Sequence, residues 1–332
     1  MANGSDGNLM AARLRQPAEA TFEHYLADAT IEMMTRFAAD GRPFFLAAHF
    51  FGPHLPYIVP DEFFDMYEPG QIELPPSVAE TFEHKPPVQR NYSAHWAYDT
   101  LDEDTSRKLI AVYWGYVTLI DRELGRILDA AERLGLTDRT AVMMTADHGE
   151  FTGAHRLHDK GPAMYDEIYR IPALVRVPGA PAGQVRDEFV TLMDFTATIL
   201  DLAGLPTDGA VDGRSLLPLV RAEQPPQPPW RPTMLAEFHG HHFPYPQRML
   251  RTRAHKLVVN PESCNELYDL VLDPDELVNR IGDPDYAGVR RELLAELYRQ
   301  LRDRGDNFYH WMTSMFEVGG VDYDVTLSSF ES

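Results

Sequence analysis

Residues 140–161 read TAVMMTADHGEFTGAHRLHDKG, and the fold class turns on how this stretch folds. Residues 140–146 form a short, almost continuously apolar run, which predicts a strand buried on both faces of a parallel sheet. Asp147 and His148 then stand at the carboxyl end of that strand, where the loops of an open α/β sheet leave a crevice for ligands. A carboxylate oxygen and a neutral imidazole side by side offer two ligands to a divalent cation. Carboxylate alone suits Ca2+ or Mg2+, whereas the imidazole favours Mn2+, Zn2+ or Fe. Gly149, Gly153 and Gly161 allow tight turns that bring Lys160 back toward the metal, where its ammonium would neutralise an anionic sulfuryl or phosphoryl oxygen. An isolated Asp-His pair is more often a turn or a helix cap, and a lone lysine is usually solvated. The combination at this spacing carries the weight.

Working outward, Tyr169-Arg170-Ile171-Pro172-Ala173-Leu174-Val175-Arg176-Val177-Pro178-Gly179 supplies the next strand. The whole block resembles the metal and anion site of the sulfatases of the alkaline-phosphatase superfamily, and the spacing of Asp147 to Lys160 is similar to that of the phosphonate monoester hydrolase branch. Upstream, Phe22, Tyr25, Leu26, Ala29, Met33 and Phe37 recur at helical spacing, as in the helix that precedes the family's histidine strand. Residues 43–50 read as a buried strand with His49 packed in the core. The strand leads into Phe51-Gly52-Pro53-His54-Leu55-Pro56, which resembles the family's Pro-His-x-Pro turn, whose histidine faces the ester. Residues 61–106 are a long connection rich in Pro, Glu and aromatic residues, the kind of loop that is functional or mobile. Residues 107–136 form an amphipathic helix with Asp121 and Arg122 on its solvated side.

Beyond residue 179, a helix over 191–202 and the run Asp212-Gly213-Arg214-Ser215-Leu216-Leu217-Pro218-Leu219 are similar to packing landmarks of the sulfatases. The Pro-rich segment 224–229 marks a domain boundary. After it, strands over 233–238, 248–252, 256–259 and 266–270 and a helix over 286–303 resemble the family's C-terminal subdomain. Glu266-Leu267-Tyr268-Asp269-Leu270, with Asp273-Pro274-Asp275-Glu276 and Asn279, carries that resemblance. The expected organisation is a flexible N-terminus (1–16), a partial sulfatase-like α/β domain (17–222) and a C-terminal subdomain (223–332). The implied fold class is α/β: an alkaline-phosphatase-like mixed, mostly parallel sheet flanked by helices, with a small α+β subdomain of antiparallel sheet plus helix. The family's N-terminal strands are expected to be missing.

Composition bounds the function. With 51 acidic against 30 basic residues the net charge is −21, which opposes binding to nucleic acid or to an anionic membrane. An anionic substrate therefore needs a locally positive pocket. No run approaches the roughly 18 apolar residues of a membrane span, and residues 1–16 lack the apolar stretch of a secretory signal, so the chain as written is expected in the cytoplasm, with its true N-terminus left open. A single cysteine, Cys264, excludes an internal disulfide framework, and its acidic neighbours argue for a structural thiol rather than a nucleophile. His239, His241 and His242 fit neither a helix face nor a strand face and are read as a loop.

The resemblance assigns roles residue by residue. Asp147 and His148 are the metal ligands. His54 and Lys160 are the catalytic candidates, stabilising the leaving oxygen and the anionic centre, and His54, Lys160 and His155 are the substrate-binding candidates. The cofactor implied is a divalent metal, Ca2+ or Mn2+, with Zn2+ or Fe as alternatives. The family nucleophile, a formylglycine made within Cys/Ser-x-Pro-x-Arg, is expected but has no matching motif in these 332 residues. Together these imply a metal-dependent sulfatase-type hydrolase of sulfate, phosphate or phosphonate esters, in truncated form. The alternative is a non-catalytic sulfatase-like binding or partner protein. The partners expected are a small anionic ester and, because strands are missing, a homo-oligomeric copy or a complementing N-terminal fragment.

Overall fold

The computed structural model describes residues 10–207, 209, 211–222, 229–260 and 263–308. In chain order its regular elements are β1 (Ala11–Leu14), α1 (Phe22–Asp40), β2 (Tyr57–Pro60), α2 (Asp61–Phe64), α3 (Pro87–His95), α4 (Glu103–Arg133), β3 (Val142–Thr145), α5 (Asp166–Tyr169), β4 (Ala173–Arg176), α6 (Leu192–Leu202), α7 (Leu217–Val220), β5 (Met234–His241), β6 (Phe243–Arg251), β7 (His255–Val259), β8 (Glu266–Asp269) and α8 (Ala287–Asp303). The chain divides into two compact units. The first takes residues 1–78, 93–159 and 171–183, and the second takes 79–92, 160–170 and 184–332. The division expected at residue 223 falls inside the second unit, and most of the Pro-rich segment that suggested it, 223–228, lies outside the described residues, as do 1–9 and 309–332.

In the first unit, α1 lies against the long helix α4. Thr21 caps α1 by accepting the His24 amide at 3.2 Å, and Gly41 ends it in the left-handed conformation that costs glycine little. The buried positions of α1 are Glu23, Ala27, Thr30 and Met34, while Phe22, Tyr25 and Met33 are exposed. The core face is thus turned by about one residue from the stripe expected of the apolar positions. The reason is polar: Glu23 accepts the Tyr116 hydroxyl at 2.7 Å, and the fully buried Glu123 of α4 pairs with His24 and Arg126, so α1 turns Glu23 and His24 toward α4. Gly115 of α4 lets α2 approach so closely that a Cβ would sit 2.0 Å from the Phe63 carbonyl oxygen.

β1 pairs in parallel with β2, Ala11 opposite Tyr57, so a strand stands where part of a flexible N-terminus was expected. Ala11 is fully buried and Leu14 half-buried, while Arg13 reaches Asp65 outside. β3 pairs antiparallel with β4, Val142 opposite Arg176. Among the described residues parallel pairing is confined to β1–β2. Met144 and Leu174 are exposed, in contrast to the two-sided burial expected of β3. Residues 43–50 are extended but join no sheet among the described residues. Phe44 and Leu46 turn inward against Met34, Ala130 and Leu136, whereas Phe45 and His49 are exposed, so His49 is not the core histidine expected. Without a neighbouring strand to cover it, the outer face of this segment has nothing to be buried against. The connection 61–106 also carries more structure than a loop, with α2, α3 and several single turns.

In the second unit, β5–β6–β7–β8 form an antiparallel meander, with Leu250 opposite Leu257 and Leu257 opposite Leu267. Helix α8 lays Leu293, Leu294, Leu297, Tyr298 and Leu301 on it, the spacing of one helical face. Each of the fully buried leucines contributes on the order of 1.5–3 kcal/mol by leaving water. His239 and His241 lie in β5 and His242 in the turn to β6, with an irregularity of register between Phe238 and Gly240. A bulge rather than a loop explains a spacing that fits neither regular face. Among the described residues no helix is long and apolar enough to cross a membrane.

A polar core runs through this unit. The Lys256 ammonium, with no exposed side-chain surface, lies 2.6 Å from Asp166 and 2.7 Å from Glu276 and donates to the Met164 carbonyl at 3.1 Å. Lys85, equally buried, meets Glu80 at 3.2 Å, the Tyr165 hydroxyl at 2.9 Å and the Glu276 carbonyl at 2.7 Å. Burial pushes the Glu276 carboxyl up. Burial also acts to raise Asp166, but the Lys256 and Arg251 charges outweigh it and hold Asp166 low.

Two substitutions test this packing by urea denaturation. Gly115→Ala is expected to cost about 2 kcal/mol, because the new methyl group meets backbone rather than a movable side chain. Lys256→Met is expected to cost about 3–5 kcal/mol by leaving buried carboxylates without their cation, and a loss below about 1 kcal/mol would show that the network contributes little.

Candidate metal and anion site

Asp147 and His148 follow β3 directly, at its carboxyl end. The His148 Nδ1 is 2.8 Å from the Gly149 carbonyl oxygen. A carbonyl only accepts, so Nδ1 carries the proton and Nε2 keeps its lone pair. That lone pair lies 3.8 Å from Asp147 Oδ2, while Asp147 Oδ1 accepts the His148 amide at 2.9 Å. The arrangement fits a divalent cation: two donor atoms of the right types lie close enough to share one ion, and the imidazole is oriented through its far nitrogen, as metal-bound histidines usually are. The Asp147 side chain is 85% exposed and the His148 side chain 27%, so the pair is open to solvent.

His54 comes from the turn between 43–50 and β2. Its Nδ1 donates to the Leu55 carbonyl at 2.7 Å, again leaving Nε2 as the outward atom, 3.8 Å from Asp159 Oδ1. The His54 and His148 rings are 5.8 Å apart, edge to face, and the Phe51 ring lies tilted against His54 at 5.0 Å. Asp147, His148 and His54, which two separate motifs nominated, therefore meet in the first unit. Lys160 opens the 160–170 segment of the second unit, where its carbonyl accepts the Tyr92 hydroxyl at 2.6 Å.

Residues 151–159 fold into a tight loop closed by Phe151 N to Asp159 O at 3.2 Å and Gly153 N to Leu157 O at 2.8 Å. Thr152, His155, Arg156 and Asp159 all take positive φ there, and Arg156 pairs with Asp99. His155 is fully buried within this loop, so the imidazole expected to meet substrate is enclosed by packing instead. Cys264, exposed, places its Sγ 3.6 Å from the His84 carbonyl, and burial of the thiol with the nearby Glu266 pushes its pKa up, the opposite of nucleophile activation.

Two groups escaped the sequence reading. Glu150, two residues past His148, is surrounded by Tyr57, Tyr113 and Asp159. Burial, and then the Asp159 charge, push its carboxyl up to about 7. His158 is 1% exposed beside the Tyr98 ring, neither of its nitrogens meets a hydrogen-bond partner among the described residues, and burial pushes it down to about 4. Only the Asp-His-Gly-Glu run itself hinted at Glu150, and nothing local marked His158.

Comparison with known proteins gives the family of the chain. The Sulfatase family model matches residues 4–205, and the model of the N-sulphoglucosamine sulphohydrolase C-terminal region matches residues 153–303. The chain belongs to the sulfatase family. It is 32% identical over 285 residues to the multifunctional alkaline phosphatase superfamily protein PehA of Trinickia caryophylli, covering 76% of this chain and 54% of that one. Among solved structures, the phosphonate monoester hydrolase SpPMH from Silicibacter pomeroyi superposes with a TM-score of 0.77 at 27% identity, over 93% of this chain and 65% of that one. A complex with the substrate D-glucosamine-2-N,6-O-disulfate superposes at 0.74 and 22% identity, over 85% and 70% of the two chains. The chain spans about half the length of the curated relatives it matches. The fold is accordingly the α/β fold of the alkaline-phosphatase-like sulfatases, with an antiparallel C-terminal sheet.

The buried titrating pair makes the stability of the first unit depend on pH in opposite senses. Glu150 in the fold holds a proton that the unfolded chain releases above its ordinary 4.5, so its contribution falls as pH rises from about 4.5 to about 7. His158 stays neutral in the fold while the unfolded chain gains a proton below 6.5, so its contribution falls as pH drops from about 6.5 to about 4. In thermal melts with EDTA, Glu150→Gln is expected to remove the loss toward neutral pH, and His158→Phe the loss toward acid. An unchanged pH profile in both variants would contradict these environments.

Proposed function

We propose that this chain carries the metal and anion half-site of a sulfatase-type hydrolase acting on sulfate, phosphate or phosphonate esters. The observation that supports this most is the convergence of the Asp147 carboxylate, the His148 Nε2 lone pair and the His54 Nε2 in one open site, each imidazole oriented by an adjacent backbone carbonyl. Asp147 and His148 would hold a divalent cation, Mn2+ or Ca2+ first and Zn2+ or Fe as alternatives, whose charge polarises the ester oxygen. His54 binds the ester near its bridging oxygen and exchanges a proton there through Nε2. Lys160 offers its ammonium to the anionic centre.

No Cys/Ser-x-Pro-x-Arg run occurs in the chain, so the formylglycine nucleophile of the family has no source in these residues. On this reading the nucleophile and the remaining metal ligands come from a complementing N-terminal polypeptide that carries the motif, which a second copy of these residues could not supply. The exposed Met144, Leu174 and Phe45 at β3, β4 and the unpaired 43–50 segment are apolar surfaces that such polypeptide would cover. The same lack of a nucleophile favours the second reading, a sulfatase-like protein that binds an anionic ester or a partner without turnover.

The purified 332-residue chain is expected to show negligible hydrolysis of aryl sulfates, phosphates or phosphonates with added Mn2+ or Ca2+. Calorimetric titration is expected to show weak Mn2+ binding that Asp147→Ala abolishes. Robust hydrolysis that survives repurification and disappears in Lys160→Ala would require a nucleophile within the chain. Mn2+ binding unaffected by Asp147→Ala would overturn the half-site.

A further inference from the structure

Beside His54 the first unit contains a pocket of about 300 Å3. Leu14, Phe22, Phe51, Ile58 and Tyr116 give it apolar and aromatic walls, and Glu23 supplies the one ionisable carboxyl among its lining residues. Three features set it apart from ordinary surface relief. Its large apolar residues are not packed away: Phe22 is 56% exposed, Phe51 59% and Ile58 38%. Phe51 belongs both to this pocket and to the candidate site, since its ring lies tilted against the His54 imidazole. The polar side chains among the lining residues all end in oxygen: the Glu23 carboxyl in the first turn of α1, the Tyr116 hydroxyl that donates to it, and the Thr21 hydroxyl, which donates to the Ala18 carbonyl and accepts the His24 amide. No lysine or arginine lines it.

Such a cavity has definite selectivity. A flat ring gains by leaving water among Phe22, Phe51 and Ile58. An incoming anion would meet the Glu23 carboxylate with no lysine or arginine among the lining residues to offset it. A neutral ring meets no such opposition, and an ammonium group would be attracted. We propose that this pocket is a charge-selective subsite for the alcohol half of the ester, receiving an uncharged or amine-bearing ring and rejecting one that carries a further carboxylate or sulfate. This inference rests on the ester-hydrolase reading of His54, Asp147 and His148. It narrows that reading away from polyanionic saccharides, whose additional sulfates would be placed against Glu23.

The test is binding to the full 332-residue chain by NMR titration, with benzyl alcohol, benzylamine and benzoate as probes of similar shape and different charge. Benzyl alcohol and benzylamine are expected to bind and to shift the His54 imidazole resonances through the Phe51 ring, with benzoate at least about tenfold weaker. Ala20→Trp, at an exposed lining position, should block both binding probes, and Glu23→Gln should remove the preference of the amine over the alcohol. Ile58→Arg, on the exposed side of β2, should bring benzoate binding up, so the idea remains testable if Ala20→Trp does not fold. Benzoate binding as tightly as benzyl alcohol, or probe binding undisturbed by a folded Ala20→Trp, would overturn the proposal. A parallel Mn2+ titration separates the two readings. Loss of Mn2+ binding with intact ring selectivity would sink the half-site and leave a ring-binding pocket. Intact Mn2+ binding without ring selectivity would sink the subsite alone.

Discussion

The Lys256 ammonium is the interaction on which the second unit is organised. It is sealed from solvent, and four oxygens from two distant parts of the chain surround it: one of Asp166 and the Met164 carbonyl from the 160–170 segment, and both of Glu276 from beyond β8. A buried cation is tolerable only when its hydrogen-bonding capacity is met, so these segments cannot separate without exposing it or leaving it unpaired. Arg251 adds a second grip on Asp166 at 2.9 Å, and Gln89, Tyr165, Tyr268 and Glu266 extend the chain of hydrogen bonds toward Lys85. The stretch that opens with Lys160 is therefore fastened to the antiparallel sheet by charge rather than by apolar packing alone. An error in its path would cost several hydrogen bonds at once, which is how a polar core fixes a single arrangement.

The acids behind the net charge of −21 are not all alike in their surroundings. Many of its acids are engaged. Glu123 is covered by Arg126 and His24, Asp194 by Arg231, Asp306 by Arg248, and Asp65 by Arg13 and Lys108. Asp147, by contrast, is open and meets no arginine or lysine among the described residues, which leaves its oxygens available to a cation. The long-range potential of the molecule opposes anions, and at about 8–10 Å of Debye length that opposition is largely screened away from the site. What an anionic ester meets locally is decided by the few groups around His54.

How much of this was legible in the residues depended on whether the cause was local. The β7 and β8 strands and helix α8 were legible through the resemblance of Glu266-Leu267-Tyr268-Asp269-Leu270 and its surroundings to the family's C-terminal subdomain; both strands are buried almost throughout and α8 packs against them. The Asp147–His148 pair and its strand were legible because a short apolar run ending in two ligand-type residues constrains itself. The rotated face of α1 was not legible: Phe22 and Tyr25 are more apolar than Glu23, and only the pairing of Glu23 with Tyr116, 93 residues away, explains which of them is buried. The same holds for residues 79–92, read as part of a featureless connection. Lys85 joins the second unit through partners as far off as Glu276, a separation of 191 residues. Residues 43–50 show the converse limit, since their pattern is that of a strand while strand formation needs a partner that the pattern cannot supply. Glu150 is a case in which composition misleads, because a carboxyl after Asp-His-Gly reads as another ligand or a solvated acid until Tyr57 and Tyr113 are seen to enclose it.

The candidate site itself owes its geometry to the backbone more than to side-chain networks. His54 and His148 each give Nδ1–H to a carbonyl oxygen one residue further along the chain, at 2.7 and 2.8 Å, and each thereby presents Nε2 outward. A bond to the adjacent residue holds the ring wherever that short stretch of backbone is held, and it fixes the tautomer without a second-shell carboxylate. The exposed apolar strands nearby would change their surroundings if covered, but they supply neither carbonyl. Residues 54–55 and 148–149 thus contribute to the orientation of both imidazoles through the backbone itself, so this half of the site can be preorganised before any ion, ester or further polypeptide arrives.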